Sequence, residues 1–336
     1  MPKDHGGIKM KTKFAIGCLV QWYEIEIVGE YIESLKQSLN HYSDDELLVD
    51  FTFNINQMLE KVDESQTSIE TLVNKFTNMM DDLEADDNYN VKYRINEDFI
   101  TIADYRRWFL DKYCTEVDVL IQGETDALMP KQTFTILDML HQSVKGATPK
   151  YISTFGINKM WDESWKSIEH VDFTDKPFIN DDEDNWWSIR YTMTIDEMNK
   201  FNDKVEELDI VILPEHKFNG CGFVISAEAV KAGVNIPKGA FFIDDTALWH
   251  MTNKVLPDMP QYHFRNILIV HNRKHPKKRS YILDEDKIDY IDDKRKSTDW
   301  YNIANEFCKI NDANIFNPTH RFYTWNDVWD KIKMEK

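Results

Sequence analysis

The segment Lys13 to Val20 (Lys-Phe-Ala-Ile-Gly-Cys-Leu-Val) is apolar almost without interruption. A strand with one face in water alternates apolar and polar residues. An unbroken run suits a strand covered on both faces, as inside a parallel sheet. Leu47 to Phe53 reads as a second strand, Val91 to Ile95 as a short third and Val117 to Gln122 as a fourth. Helical spacing fills the intervals, with Tyr31, Ile32, Leu35 and Leu39 on one segment and Ile102, Tyr105, Phe109 and Tyr113 on another. Ile55 to Met80 reads as one long helix, or as two broken near Asp63–Ser65. This alternation predicts an α/β fold with a mostly parallel sheet flanked by helices. In open sheets of that kind, ligands gather at the carboxyl ends of the strands.

The second half is less regular. Lys131 to Gln142 reads as a helix, Tyr151 to Ile157 as a strand, and Asp172 to Trp187 as an acidic, aromatic loop. Thr194 with Glu197 three residues on is a capping-box pattern opening a helix to Glu207. Ile210 to Leu213 is a strand stopped by Pro214. Ser226 to Ala232 is a short helix closed by Gly233. Thr246 to Val255 is a helix, Ile267 to Val270 a strand delivering His271, and the tail is helical around Trp300–Ile310.

With 336 residues, 42% of them hydrophobic and 13% aromatic, the chain can build one large α/β domain with an appendage. Its formal net charge of −19 argues against binding nucleic acid through a broad basic surface. The four cysteines have neither CxxC nor zinc-finger spacing and read as reduced thiols. There is no apolar run of the ~18 residues that a membrane span needs, and Met1 to Lys13 has no apolar signal segment. The expectation is a cytoplasmic protein with no membrane insertion.

Three polar clusters follow apolar segments. Glu124 and Asp126 end the Val117 strand before Pro130 stops it. At this spacing on an extended backbone they point the same way, an arrangement suited to a hard divalent cation with oxygen ligands. Asp244 and Asp245 precede a helix. His271 leads into Arg273-Lys274-His275-Pro276-Lys277-Lys278-Arg279. Together these are the parts of a transferase with a phosphate leaving group: metal carboxylates, a histidine, cations and a base. Each alone also fits a plainer role, as a solvated strand end, first-turn acids favoured by the helix dipole, or an exposed loop.

The order of these segments resembles a nucleotide-sugar glycosyltransferase of the GT-A fold, closest to the family 2 type. Phe14 to Leu39 resembles that family's first strand and helix. Val117 to Pro130 resembles the strand bearing its Asp-x-Asp metal motif, with Glu124-Thr125-Asp126 in its place. Gly220-Cys-Gly-Phe-Val-Ile-Ser is similar to its acceptor-side glycine segment. Phe241 to Leu248 resembles the acidic segment that supplies the base. Ile269-Val270-His271 resembles the late histidine given to the metal. The resemblance covers residues 12 to 285. It implies a nucleotide-sugar half over 12–130 and an acceptor half over 131–285, between a flexible N-terminus (1–11) and a C-terminal helical extension (286–336).

Carried over residue by residue, the resemblance implies Mn²⁺ or Mg²⁺ held by Asp126, Glu124 and His271, with His275 a neighbouring candidate. It implies Asp245, or Asp244, as the base of an inverting transfer. Donor contacts fall on Val20, Gln21, Trp22, Asn54, Arg106, Arg107, Glu124, Arg273, Lys274 and Lys277. The acceptor side falls on Trp186, Trp187, Gly220 and Gly222. Trp22 equally fits core packing, and Arg106 or Arg107 a surface ion pair. Glu in place of the first Asp makes Asp126 the preferred ligand.

The implied partner is a nucleoside-diphosphate sugar. The Asn/Asp/Lys-rich composition is similar to that of bacteriophage enzymes, which makes a hydroxymethylated base in phage DNA a candidate acceptor. Trp186 or Trp187 would then stack on an extruded base. The net charge counts against a duplex. Glycan or small-molecule acceptors, a nucleotidyltransferase, and a non-catalytic interaction protein are the alternatives. Against the nucleotidyltransferase, the chain has no glycine-rich loop after its first strand to cradle a triphosphate.

Overall fold

The computed structural model describes residues 11–42, 47–55, 68–85, 89–98, 100–160, 162–177, 191, 193–241, 244–271 and 299–334. Strands β1 (Phe14–Gln21), β2 (Leu47–Asn54), β3 (Asn90–Asn96) and β4 (Val119–Gln122) alternate with helices α1 (Val28–Tyr42), α2 (Ile69–Glu84) and α3 (Ile102–Tyr113). Then come β5 (Ala127–Leu128), α4 (Thr133–Val144), β6 (Ile152–Ile157), α5 (Ile195–Asn202), β7 (Ile210–Ile212), β8 (Phe223–Ser226), α6 (Ala227–Lys231), α7 (Asp244–Val255) and β9 (Gln261–His271). The chain closes with α8 (Asp299–Ala313) and α9 (Trp325–Met334).

The strands form one sheet in the order β3-β2-β1-β4-β8-β6-β9-β5, with β7 also on β9. The longest ladders, β1 with β2, β2 with β3 and β6 with β9, are parallel, as is the shorter one of β1 with β4. The antiparallel pairings are short: β4 with β8, β5 and β7 with β9, and β6 with β8. This is the α/β architecture expected from the apolar runs.

Those runs are unbroken because the sheet has a core on each face. Phe14, Ile16, Cys18 and Val20 of β1 join Leu35, Phe76 and Leu137 from α1, α2 and α4 on one side. Ala15 and Leu19 join Phe109, Val230 and Leu248 from α3, α6 and α7 on the other. The period-two alternation of a strand sends each successive side chain to a different core, so both sets must be apolar. Helices α8 and α9 make a third cluster with Phe241, against which Trp325 stands edge-on.

Several boundaries differ from the sequence expectation for local reasons. Ile55 extends β2 instead of starting a helix, its N–H reaching Asn96 O at 2.9 Å. Helix α2 starts after Ser68, whose hydroxyl accepts from Thr71 N. Val117 belongs to the turn after α3, donating to Tyr113 O, so β4 begins two residues later. Helix α4 waits for a turn in which Thr133 N donates to Pro130 O. Helix α5 keeps its capping box but ends at Asn202, not Glu207. The Asn202 side chain is pinned to the Leu268 backbone at 2.8 and 2.9 Å. Strand β9 reaches back to Gln261, a stretch whose polar residues disguised it. The pair β5 and β8 went unread because each is too short to show a period.

Gly222 has φ +57°, and a Cβ there would lie 2.4 Å from Ile269 Cδ1. Gly222→Ala is expected to lower stability by roughly 1–2 kcal/mol from backbone strain alone, with the contact adding to it. Gly146→Ala, where a Cβ meets nothing within 4 Å, is the control. Urea unfolding of both variants checks this; equal midpoints would refute it.

Candidate functional site

In the order β3-β2-β1-β4, the chain winds one way from β1 to β3 and then returns to the other side of β1 with β4. Such a reversal leaves room for ligands at the carboxyl ends of the two strands that flank it. Gln21 ends β1, and Gly123 and Glu124 follow β4.

The backbone turns sharply at this point. Ala127 N donates to Glu124 O at 3.2 Å, closing a turn over Thr125 and Asp126. Glu124 and Asp126 are therefore not aligned on an extended backbone as their spacing suggested. They converge through the turn on one imidazole: His271 Nε2 lies 3.2 Å from Asp126 Oδ1 and 3.9 Å from Glu124 Oε2. Register brings the histidine there, since Ala127 of β5 pairs with His271 of β9.

The segment before β8 delivers another side chain. The β4–β8 ladder ends at the Gln122–Phe223 pair, and Cys221, in the turn that leads into β8, comes beside Glu124. Glu124, Cys221 and His271 each offer one ligand atom, all within 4.8 Å of one another. Burial pushes the Cys221 thiol well up, and the neighbouring Glu124 and Asp126 carboxylates push it further. Sequence reasoning missed Cys221; its only mark was a cysteine between two glycines.

Arg106 of α3 lies at the centre. Its side chain is 3% exposed. It is paired with Asp244 Oδ2, with Glu124 Oε1 at 2.9 Å, and with the Gly220 carbonyl at 3.0 Å. Burial alone would loosen the guanidinium's proton, but Asp244 and Glu124 outweigh it and hold the charge more firmly than in an ordinary arginine. Gly220 permits this approach, because a Cβ there would lie 2.3 Å from Glu124 Oε1. The expected acceptor-side glycines thus have identifiable steric roles, Gly220 under Glu124 and Gly222 against Ile269.

Asp244 and Asp245 open α7 and differ in environment. Asp244 is engaged by Arg106. Asp245 accepts from Thr246 N at 2.7 Å. Burial, and then the adjacent Asp244 charge, push its carboxyl up to about 6.

At the ends of β1, β2 and β3, a polar ribbon runs in register from Gln21 to Asn54 to Asn96. Asn54 Nδ2 donates to Gln21 Oε1 at 2.9 Å, and Asn96 Nδ2 to Asn54 Oδ1 at 3.1 Å. Asn96 was not anticipated. Val20 and Trp22, at 0% and 4% exposure, belong to the core, the packing role open to Trp22 from the start. Arg107 is tied to Asp104 and to the Pro237 carbonyl at 2.8 Å, apart from the carboxylates. Trp186, Trp187, Arg273, Lys274, His275 and Lys277 lie outside the described residues.

The donor set fits a divalent cation. Among the described residues, Glu124, Asp126, Asp244 and Asp245 gather around one guanidinium and one imidazole, carboxylates whose charge a divalent cation would offset. Glu124, Asp126 and His271 are the residues that would hold Mn²⁺ or Mg²⁺. Among the described residues, no helix is long and apolar enough to cross a membrane.

No family model and no curated protein sequence matches the chain. Among solved structures it is similar to S. aureus TarS 1-349 in complex with UDP-GlcNAc, with TM-score 0.47 and 9% identity over 96% of this chain and 71% of that one. It is similar to the mannosyltransferase PcManGT from Pyrobaculum calidifontis in complex with GDP-Man and Mn²⁺, with TM-score 0.44 and 11% identity over 81% of this chain and 60% of that one. A third is GalNAc-T7 with UDP, GalNAc and Mn²⁺, with TM-score 0.47 and 10% identity over 97% and 57%.

Replacing Arg106 by Met leaves the buried Asp244 and the half-buried Glu124 without their cation, and is expected to cost about 3–5 kcal/mol in urea unfolding. Adding Glu124→Gln and Asp244→Asn removes the stranded charges and should restore part of that loss. A single variant as stable as the parent would show that the guanidinium is not the link between these loops.

Proposed function

We propose that the protein is a metal-dependent glycosyltransferase that moves a sugar from a nucleoside-diphosphate sugar to an acceptor hydroxyl with inversion. The observation that carries this reading is the pairing of two unlike carboxylate sites through Arg106. Glu124 and Asp126 form a cation-type site with His271, and Asp245 is a carboxyl poised near neutrality on the far side of the same guanidinium. A transferase with a phosphate leaving group needs both, one for the departing charge and one for the entering proton.

The nucleoside end of the donor falls to the carboxyl ends of β1 to β3. The Gln21–Asn54–Asn96 ribbon offers amide donors and acceptors to a base or ribose edge. Val20 and Trp22 fix the strand end beneath it. Glu124, Asp126 and His271 hold the divalent cation, which supplies charge neutralisation for the diphosphate. Arg273, Lys274 and Lys277, following His271 in sequence, are the side-chain cations proposed for the same diphosphate. Arg106 keeps Glu124 in place instead of meeting the donor, since its own hydrogen bonds go to Asp244, Glu124 and Gly220.

Asp245 takes the proton from the acceptor hydroxyl as that oxygen bonds to the anomeric carbon and the bond to the diphosphate oxygen breaks. Asp244 is unsuited to this step because Arg106 holds its carboxylate. A general base works best with a proton affinity near the working pH, which burial beside Asp244 gives to Asp245.

The test is a panel of UDP-, GDP-, CDP- and TDP-sugars with Mn²⁺, offered glycan, small-molecule and hydroxymethylated DNA acceptors, with donor hydrolysis read alongside. Turnover of one donor that fails in Asp126→Ala supports the reading; no turnover or hydrolysis with any donor overturns it. The base must be ionised to act. Its folded value of about 6 therefore predicts that kcat/KM falls tenfold per pH unit below about pH 6 and levels off above it. Asp245→Asn should lower the plateau by at least ~100-fold and remove that acid limb. A variant profile unchanged in both respects would assign the base elsewhere.

A further inference from the structure

The glycosyltransferase reading leaves Cys221 without a task, yet its position is set as tightly as that of any ligand in the site. It lies in the turn just before β8, where its thiol comes within 4.8 Å of a Glu124 carboxylate oxygen and a His271 ring nitrogen. Its own N–H donates to Asn219 Oδ1 at 3.0 Å, and the left-handed Gly222 follows it. Cys221 and His271 are buried at 9% and 7% exposure, whereas the Glu124 side chain keeps 25% of its surface open. A cation there would have protein donors on one side and an accessible face on the other, the layout of a metal site that keeps a position for another ligand.

We propose that Cys221 is a metal ligand, and that Glu124, Cys221 and His271 select a borderline, sulfur-tolerant divalent cation such as Zn²⁺ or Co²⁺ over Mg²⁺. The argument is one of donor chemistry and spacing. Mg²⁺ demands near-ideal octahedral oxygen coordination and gains little from imidazole or sulfur. Thiolate and imidazole together favour the later first-row metals, whose affinities for such donors rise from Mn²⁺ through Co²⁺ toward Zn²⁺. Four-coordinate zinc with nitrogen, oxygen and sulfur donors separates its ligand atoms by roughly 3.3–3.7 Å. The three donors here lie within 4.8 Å of one another, so they reach that spacing by side-chain adjustment. Asp126 Oδ1 lies 3.2 Å from His271 Nε2, beside the three-donor group and outside it, which leaves the fourth position for another ligand. Binding replaces the thiol proton with the cation and releases that proton to solvent.

This deepens the transferase reading by naming the class of cation and rests on that reading only for the use of the site. Its test needs no sugar donor, so the two can fail separately. The full chain, freed of metal by a chelator, is titrated with Co²⁺ and followed by absorption spectroscopy. The expected result is a sulfur-to-cobalt charge-transfer band in the near ultraviolet, present in the parent and lost in Cys221→Ser. Near-ultraviolet circular dichroism establishes that the variant is folded.

Zn²⁺/Mg²⁺ competition against bound Co²⁺ in the parent chain gives a second readout that needs no variant. Zn²⁺ should displace Co²⁺ at concentrations at least ~100-fold below those at which Mg²⁺ does. Cys221→Asp, which turns the donor set to oxygen and nitrogen, should abolish the band and narrow that gap. A cobalt spectrum without the sulfur band, or displacement by Mg²⁺ at concentrations like those of Zn²⁺, overturns the proposal.

Discussion

A guanidinium 3% exposed to solvent fixes the geometry on which the rest of the site depends. Moving such a charge out of water costs several kcal/mol unless partners are provided, and the partners must come to it. Arg106 draws them from three places far apart in sequence: Glu124 after β4, the Gly220 carbonyl before β8, and Asp244 at the start of α7. None of these segments is a regular element in the middle of the sheet. Two are connections and the third is a helix start, and each is held where it is because withdrawing it would strand a buried charge. Net stabilisation by such a cluster is modest, since an apolar replacement can be as stable. Its value here is positional, in that two carboxylates on different connections are held at fixed separation through one rigid planar fork.

Strand register supplies the second constraint. The side chains around the proposed cation come from segments 97 and 147 residues beyond Glu124 in the chain, at Cys221 and His271. They meet because β8 runs antiparallel to β4 and β9 antiparallel to β5. A one-residue slip in either ladder would turn every side chain on that strand to the opposite face and separate the donors. The same ladders bury Val224 and Ile225 in opposite cores, so the slip is opposed by apolar packing on both faces. The site's precision is thus a by-product of a sheet that cannot shift register without exposing its core.

Local pattern made the parallel half of this architecture legible in the sequence. Phe14–Val20 and Leu47–Phe53 advertise double-sided burial, and Thr194 with Glu197 and Ser226 with Gly233 mark helix ends by short-range hydrogen bonding. Glu124, Asp126 and His271 were legible as strand-end residues, and the structure brings them together. Three things had no local signal. Cys221 becomes a site residue only because β8, which follows it, pairs with β4 and brings it near Glu124, 97 residues earlier in the chain. Arg106 looks like any arginine on an amphipathic helix until its partners converge on it. Asn96 gains meaning only beside Asn54 and Gln21, as the third rung of a ribbon across three strands. Short elements such as β5 and β8 hide for the related reason that two to four residues cannot display a period.

The unlike states of Asp244 and Asp245 follow from the same economy of charge. Two adjacent carboxylates at a helix start compete for one cation, and Arg106 is oriented by Glu124 so that its other nitrogen faces Asp244. Burial, and then the repulsion of its neighbour, raise the proton affinity of Asp245, against the smaller opposite pull of the Thr246 backbone N–H. Glu124 therefore acts on Asp245 without touching it, its charge raising the Asp245 carboxyl while Arg106, which it pairs, lowers it. A cation bound by Glu124 would weaken that carboxylate's hold on Arg106 and strengthen the hold of Asp244. In that sense the two halves of the site share one electrostatic balance, with Arg106 as its pivot.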